Sequence, residues 1–195
     1  MPANNDIQKG NEMANKLHRY LLIIGALFLL GKKSNAQELS VVDSVDLQRY
    51  AGTWYEIARL PNKFQQDCAG NITATYILLE GGRIKVVNRC QRKDGDSSVA
   101  EGIARRAASE GPNSKLKVRF APSFLSFLPF VWGNYWILDL APDYSYAVVG
   151  EPNREYLWVL ARTPKLGEKT LDGILERVKK QGYDLASLIH TKQSY

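Results

Sequence analysis

Between residues 53 and 162 the chain is a succession of short strand-like segments, each stopped by turn residues. Residues 53–60 end at Pro61-Asn62, and 72–79 end at Glu80-Gly81-Gly82. Residues 83–92 end at Lys93-Asp94-Gly95-Asp96, and 99–107 end at Glu110-Gly111-Pro112-Asn113. Segments 115–120, 134–140, 144–150 and 156–162 complete a set of eight. In 115–120 the alternation is clean: Lys115, Lys117 and Arg119 fall on one face, Leu116, Val118 and Phe120 on the other. One wet face and one dry face mark a half-buried strand. Eight such segments at short intervals predict an all-β fold, a sandwich or an up-and-down barrel.

The period changes after residue 162. Leu171, Ile174, Leu175 and Val178 recur at helical spacing, with Lys, Glu and Arg between them and Gly182 as the stop. A helix over about 168–181 follows. Its apolar stripe needs a partner, and segments 134–140 and 156–162 are apolar at both parities. A strand dry on both sides has one face in the barrel and one under another element. The helix is therefore expected outside the barrel.

The first three dozen residues read differently. Tyr20 to Leu30 is an apolar run of eleven, preceded by Lys16, His18 and Arg19 and followed by Ser34-Asn35-Ala36. This is the pattern of a secretory signal cleaved after Ala36, and it is too short for a spanning helix. Residues 37–195 would then be the mature domain, about the size for one core. The cut lies near no Cys, so a soluble product is expected, not a lipoprotein. The formal net charge of +6 falls to +3 without the leader, and the remaining charges are mixed in sign. Such a pattern offers no track for a phosphate backbone, so no nucleic-acid partner is expected.

In an oxidising compartment the two cysteines, Cys68 and Cys90, are expected as a disulfide across the 72–92 hairpin. Closing that loop is worth about 3 kcal/mol in a chain-entropy estimate. His18 leaves with the leader and His190 sits in the tail, so the fold holds no imidazole for a zinc site or a Ser–His–Asp triad. No catalytic residue, metal or cofactor is expected. A reactive thiol at Cys68 or Cys90 is the enzymatic alternative.

Three local motifs add a family. Gly52-Thr53-Trp54 opens the first strand, Pro142-Asp143-Tyr144 joins the sixth and seventh, and Arg162 ends the eighth. In this order among eight strands, they resemble the lipocalin family over residues 44–192. Arg59-Leu60-Pro61, Ala74-Thr75-Tyr76 and Tyr156-Leu157-Trp158 are similar to its bacterial lipocalin, apolipoprotein D and plant temperature-induced branch. The resemblance implies an eight-stranded antiparallel up-and-down barrel over about 52–162. In it, Arg162 lies on the Trp54 ring at the closed end. Gly52, Trp54, Asp143, Tyr144 and Arg162 are thus structural.

The resemblance also implies a ligand cavity, since a barrel of eight strands is wide enough for one small ligand, as in lipocalins generally. With Trp54 inward, alternation assigns Glu56, Ala58 and Leu60 to the lining. The family pattern adds Ala74, Tyr76 and Leu78. The third strand adds Val86 and Asn88, the fifth Leu116, Val118 and Phe120, and the sixth Trp136 and Leu138. A carboxylate buried alone is costly, so Glu56 is expected either to meet a ligand head group or to pair with an internal Arg. The linker between strands five and six carries Phe124, Leu125, Phe127, Leu128, Phe130 and Trp132, and it is expected at the open end as a membrane-docking or lid loop. The expected function is non-enzymatic: carriage or storage of a small hydrophobic ligand, a fatty acid or lysophospholipid, linked to membrane lipid maintenance. The product is expected in the periplasm or outside the cell, monomeric or homodimeric, with a peripheral membrane contact. A filled barrel serving as an interaction module is the remaining alternative.

Overall fold

The structure is a computed structural model that describes residues 38–194. The leader expected over 1–36 lies outside the described residues. The chain forms β1 (Gly52–Arg59), β2 (Cys68–Leu78), β3 (Ile84–Arg92), β4 (Ser97–Arg106), β5 (Lys115–Arg119), β6 (Gly133–Leu140), β7 (Tyr146–Gly150) and β8 (Leu157–Ala161). All neighbours are antiparallel, in the order β2-β3-β4-β5-β6-β7-β8-β1, and β1 also pairs with β2, which closes the barrel. β1 is shared between its two neighbours. Gly52 to Tyr55 pair with Tyr76 to Thr73, and Tyr55 to Arg59 pair with Ala161 to Trp158.

One short helix and one short strand were not legible in the sequence. Helix α1 (Leu47–Tyr50) is capped by Asp46, whose carboxylate accepts from Gln48 N at 2.9 Å and Arg49 N at 3.2 Å. Strand β9 (Ile189–His190) pairs with Ala58 and Arg59, covering the edge of β1 that β2 leaves bare. β2 also begins four residues earlier than expected, because Cys68 and Gly70 pair with Arg92 and Gln91. The expected disulfide is formed there, with a Cα–Cα distance of 5.7 Å.

Helix α2 (Glu168–Lys180) packs outside. Ile174 and Val178 are fully buried in one cluster with Leu138, Val148, Leu157, Val159 and Ala161. Those strand residues face out of the barrel, so strands β6 to β8 are dry on both sides, as their composition requires. Arg177 fixes the helix by a 2.7 Å ion pair to Asp139 and a 3.0 Å hydrogen bond donated to the Tyr146 hydroxyl. It sits in the helix's last turn, where a cation complements the helix dipole.

The closed end is sealed by an aromatic stack. The Arg162 guanidinium lies 3.8 Å from the centroid of the Trp54 ring. Trp54 donates its indole N–H to Tyr50 O at 2.8 Å, and the Tyr50 ring lies 5.0 Å beyond. Arg162 also donates to the Thr53 carbonyl at 3.1 Å and to that of Arg49, tying β8 to β1 and α1. Across the same end, the Tyr144 hydroxyl accepts from Asp46 N at 2.9 Å, and Arg49 lies 4.0 Å over the Tyr144 ring. Asp143 accepts from Ser145 N at 3.0 Å, shaping the turn in which Tyr144 takes φ 64°. Hydrogen bonds from Ser145, with Arg49 nearby, hold the Asp143 carboxyl below its ordinary range.

Emptying the helix contact should be costly. Ile174→Ala is expected to lower stability by about 2–5 kcal/mol in urea unfolding. Exposed Lys179→Ala should change it by less than about 0.5 kcal/mol.

Candidate ligand-binding lumen

Residues directly opposite in antiparallel strands point to the same side, so the register identifies the lining. Trp54 opposes Ala74, Ala74 opposes Asn88, and Asn88 opposes Ala100. Tyr76 opposes Val86, and Val86 opposes Gly102. Ala104 opposes Val118, and Leu116 opposes Tyr135. On the remaining wall, Ile137 opposes Val149, Val149 opposes Trp158, and Trp158 opposes Arg59. The interior wall is thus mostly apolar, with small residues on β4.

Four residues that simple alternation assigns to the lumen lie on the helix side instead. Ala58 and Leu60 lie with the helix-side cluster, not in the lumen. A bulge between Glu56 and Ala58 adds one residue to β1, so Glu56 faces in, Ala58 out and Arg59 in. Trp136 and Leu138 also join the helix side, because Leu116 stands opposite Tyr135, one position earlier. β6 is apolar at both parities, so hydrophobicity could not choose between Tyr135 and Trp136. Tyr76, Val86 and Leu116 are buried in the interior cluster, with Ala74, Leu78 and Val118 packed against it. Phe120 is 44% exposed at the mouth and lies over Gly102, where an added Cβ would meet its ring at 2.8 Å.

The floor is polar only at its centre. Tyr135 shares hydrogen bonds with the Tyr50 hydroxyl at 2.8 Å and the Tyr76 hydroxyl at 2.7 Å. Burial pushes all three phenols up, Tyr76 to about 12; around Tyr135 the neighbouring phenols add to the effect.

Higher up, the lumen holds one buried ion pair. Glu56 is 2% exposed and Arg59 7%. Arg59 Nη1 donates to Glu56 Oε1 at 2.9 Å. The Thr191 hydroxyl donates to the same oxygen at 2.5 Å, and Gln65 Nε2 donates to Oε2 at 2.7 Å. Of the two partners expected for Glu56, the internal Arg is the one present. Gln65 also accepts the Trp158 indole N–H at 2.8 Å. From Trp158 an aromatic ladder climbs to the rim, through Tyr156 at 5.9 Å and then to Phe64 at 5.7 Å, the latter 66% exposed.

The linker between β5 and β6 stands at this open end. It forms two 3-10 turns, Ser123–Leu125 and Pro129–Val131. Phe124, Phe127 and Phe130 are 73%, 77% and 80% exposed, while Leu125, Leu128 and Trp132 are half-buried. The base of the loop is fixed. Trp132 donates to Ser126 O at 2.8 Å, and Arg105 and Arg119 lie over its ring, 4.2 Å and 5.3 Å from the centroid. Arg119, on the wet face of β5 by its sequence, is buried there and donates to the carbonyls of Ala121 and Pro122.

Residues 45–193 match the family described as the lipocalin-like domain. This chain belongs to the lipocalin family. It is 40% identical to temperature-induced lipocalin-1 of Arabidopsis thaliana over 159 residues, which is 81% of this chain and 84% of that one. It is 36% identical to the outer membrane lipoprotein Blc of Vibrio cholerae, over 88% of this chain and 96% of the relative. Among solved structures, insecticyanin from the tobacco hornworm Manduca sexta superposes with a TM-score of 0.61 at 22% identity, covering 80% of this chain and 85% of that one. Members of the lipocalin family bind small hydrophobic ligands.

Several lining residues were missed in the sequence: Tyr50, Arg59, Gln65, Tyr135, Trp158 and the β4 wall. The β4 signal was there, since Ser98, Ala100, Gly102 and Ala104 are all small at alternate positions. The others depend on the bulge and on register.

The tyrosine floor makes the lipocalin alkali-sensitive. Between about pH 10 and 12 the unfolded chain loses phenolic protons that the folded chain retains, so stability falls as pH rises. Urea midpoints at pH 9 and 11 should drop less for Tyr135→Phe than for wild type. An equal drop would contradict the assignment.

Proposed function

We propose that this lipocalin is a non-catalytic carrier of a single-tailed lipid, a fatty acid or lysophospholipid, held in the barrel with its tail toward the tyrosine floor. The observation that carries this is the exposure pattern of the lining. Deep inward-facing residues such as Ile84, Val86, Leu116 and Ile137 are buried. Inward-facing Ala74, Asn88, Val118 and Trp158 are half-buried, and Ala100 is exposed. Side chains that point inward yet meet solvent mark a lumen open at the rim. Small residues on β4 leave room along that wall, and each buried CH₂ of a tail contributes about 0.8 kcal/mol. Cys68 and Cys90 are joined, so neither thiol is available as a nucleophile.

The three outward phenylalanines support a further part of this reading: the rim docks on a lipid surface, so that ligand passes without crossing water. Exposed apolar side chains clustered in this way mark an interaction site. The disulfide supports export, to the periplasm or the extracellular space.

Both parts are testable. Ala100→Trp should fill the rim without disturbing the fold, weakening a fluorescent fatty-acid probe at least about tenfold with an unchanged melting temperature. Unchanged affinity would move the ligand out of the lumen. In liposome flotation, Phe124→Ser/Phe127→Ser/Phe130→Ser should stay with the soluble fraction while wild type floats; equal flotation would exclude docking by this loop.

A further inference from the structure

Arg59 is more than a partner for Glu56. The bulge at Ile57 turns it into the barrel, in cross-strand register with Trp158, Val149 and Ile137. Its hydrogen bonds among the described residues are both made by Nη1, to Glu56 Oε1 at 2.9 Å and Thr191 Oγ1 at 3.4 Å. Nε is buried and has no partner among the described residues. The Nε–Nη2 edge of a guanidinium is the one that grips two oxygens of a carboxylate or phosphate in parallel. Here that edge is unused inside an apolar barrel, where an unpaired charged donor is costly. Glu56 does not serve it. Its Oε1 already receives Arg59 Nη1 and Thr191, and its Oε2 receives Gln65.

We infer that Arg59 is a head-group subsite, whose free Nε–Nη2 edge binds the anionic oxygens of the carried lipid. The chemical class is a carboxylate or a phosphate on a single acyl chain. Glu56, Gln65 and Thr191 are positioning residues: they hold Nη1 and so aim the other edge. The ion pair leaves the empty site near neutral, and the tail runs from Arg59 down the apolar wall toward the tyrosine floor, with the cross-strand Trp158 ring beside its first carbons.

This inference rests on the carrier reading, and the test separates the two. The full chain is titrated with oleate, 1-oleoyl-lysophosphatidate and oleyl alcohol, following tryptophan emission. Wild type should bind at least one anionic lipid roughly tenfold to a hundredfold tighter than the alcohol. Preference for oleate alone or for lysophosphatidate alone identifies the head group. Glu56→Gln/Arg59→Met removes both charges together and leaves no unpaired buried charge; it should bind the alcohol as wild type does and show no anionic preference. Should that variant fail to fold, Arg59→Lys decides, since it keeps the charge but loses the fork; the preference should drop severalfold. Equal binding of all three lipids by wild type, or full preference in the variants, overturns the subsite alone. Failure of a folded wild type to bind any of the three overturns the carrier reading as well.

Discussion

Arg162 lies 3.8 Å from the centroid of the Trp54 ring and donates to the backbone of Thr53 and Arg49. A guanidinium over an indole is worth on the order of 0.5–2 kcal/mol. Its position matters more than its energy. Trp54 begins the first strand and Arg162 follows the last, so the contact fixes how the barrel closes. A slip of one residue in that closure would turn every lumen side chain of β1 outward. Trp54, fully buried, then supports Tyr50, and Tyr50 supports the Tyr76–Tyr135 floor. The depth of the lumen is set from this end.

The open end follows a different logic. Two strand irregularities, at Ile57 in β1 and near Leu138 in β6, break the period of two. The first brings Glu56 and Arg59 to the same side, where regular alternation would separate residues three apart. A buried ion pair inside the barrel results from one inserted residue. The C-terminal tail completes this region: Thr191 donates to Glu56, and Gln193 donates to the carbonyls of Glu56 and Ile72. Gly70 permits the crossing, since a Cβ there would stand 2.6 Å from Lys192 O. The polar groups of the mouth are thus held by β1 and by a tail more than 130 residues away in sequence.

Much of this was legible in the chain. Local alternation identified the strands, helical spacing identified α2, and the hairpin between the cysteines placed the disulfide. The motifs at Gly52-Thr53-Trp54, Asp143-Tyr144 and Arg162 identified the closed end. Illegible were the facts that depend on register between distant strands. Tyr135 and Trp136 are both large and apolar, and only the pairing with Leu116 decides which enters the barrel. Likewise, nothing in Glu56-Ile57-Ala58-Arg59 announces a bulge. Charge alone made Arg119 wet, but the aromatic linker folds over it.

The parts that support the proposed carrier are a stapled base, a phenolic floor, an apolar wall, a charged fixture below the rim and a greasy edge beside it. The claim at its centre is that the lumen holds one lipid tail. Native mass spectrometry of the chain purified from its own host tests this most directly. A one-to-one complex that releases a single-tailed lipid on activation is expected; a bare protein mass, with no lipid extractable by organic solvent, would mean that the lumen carries none.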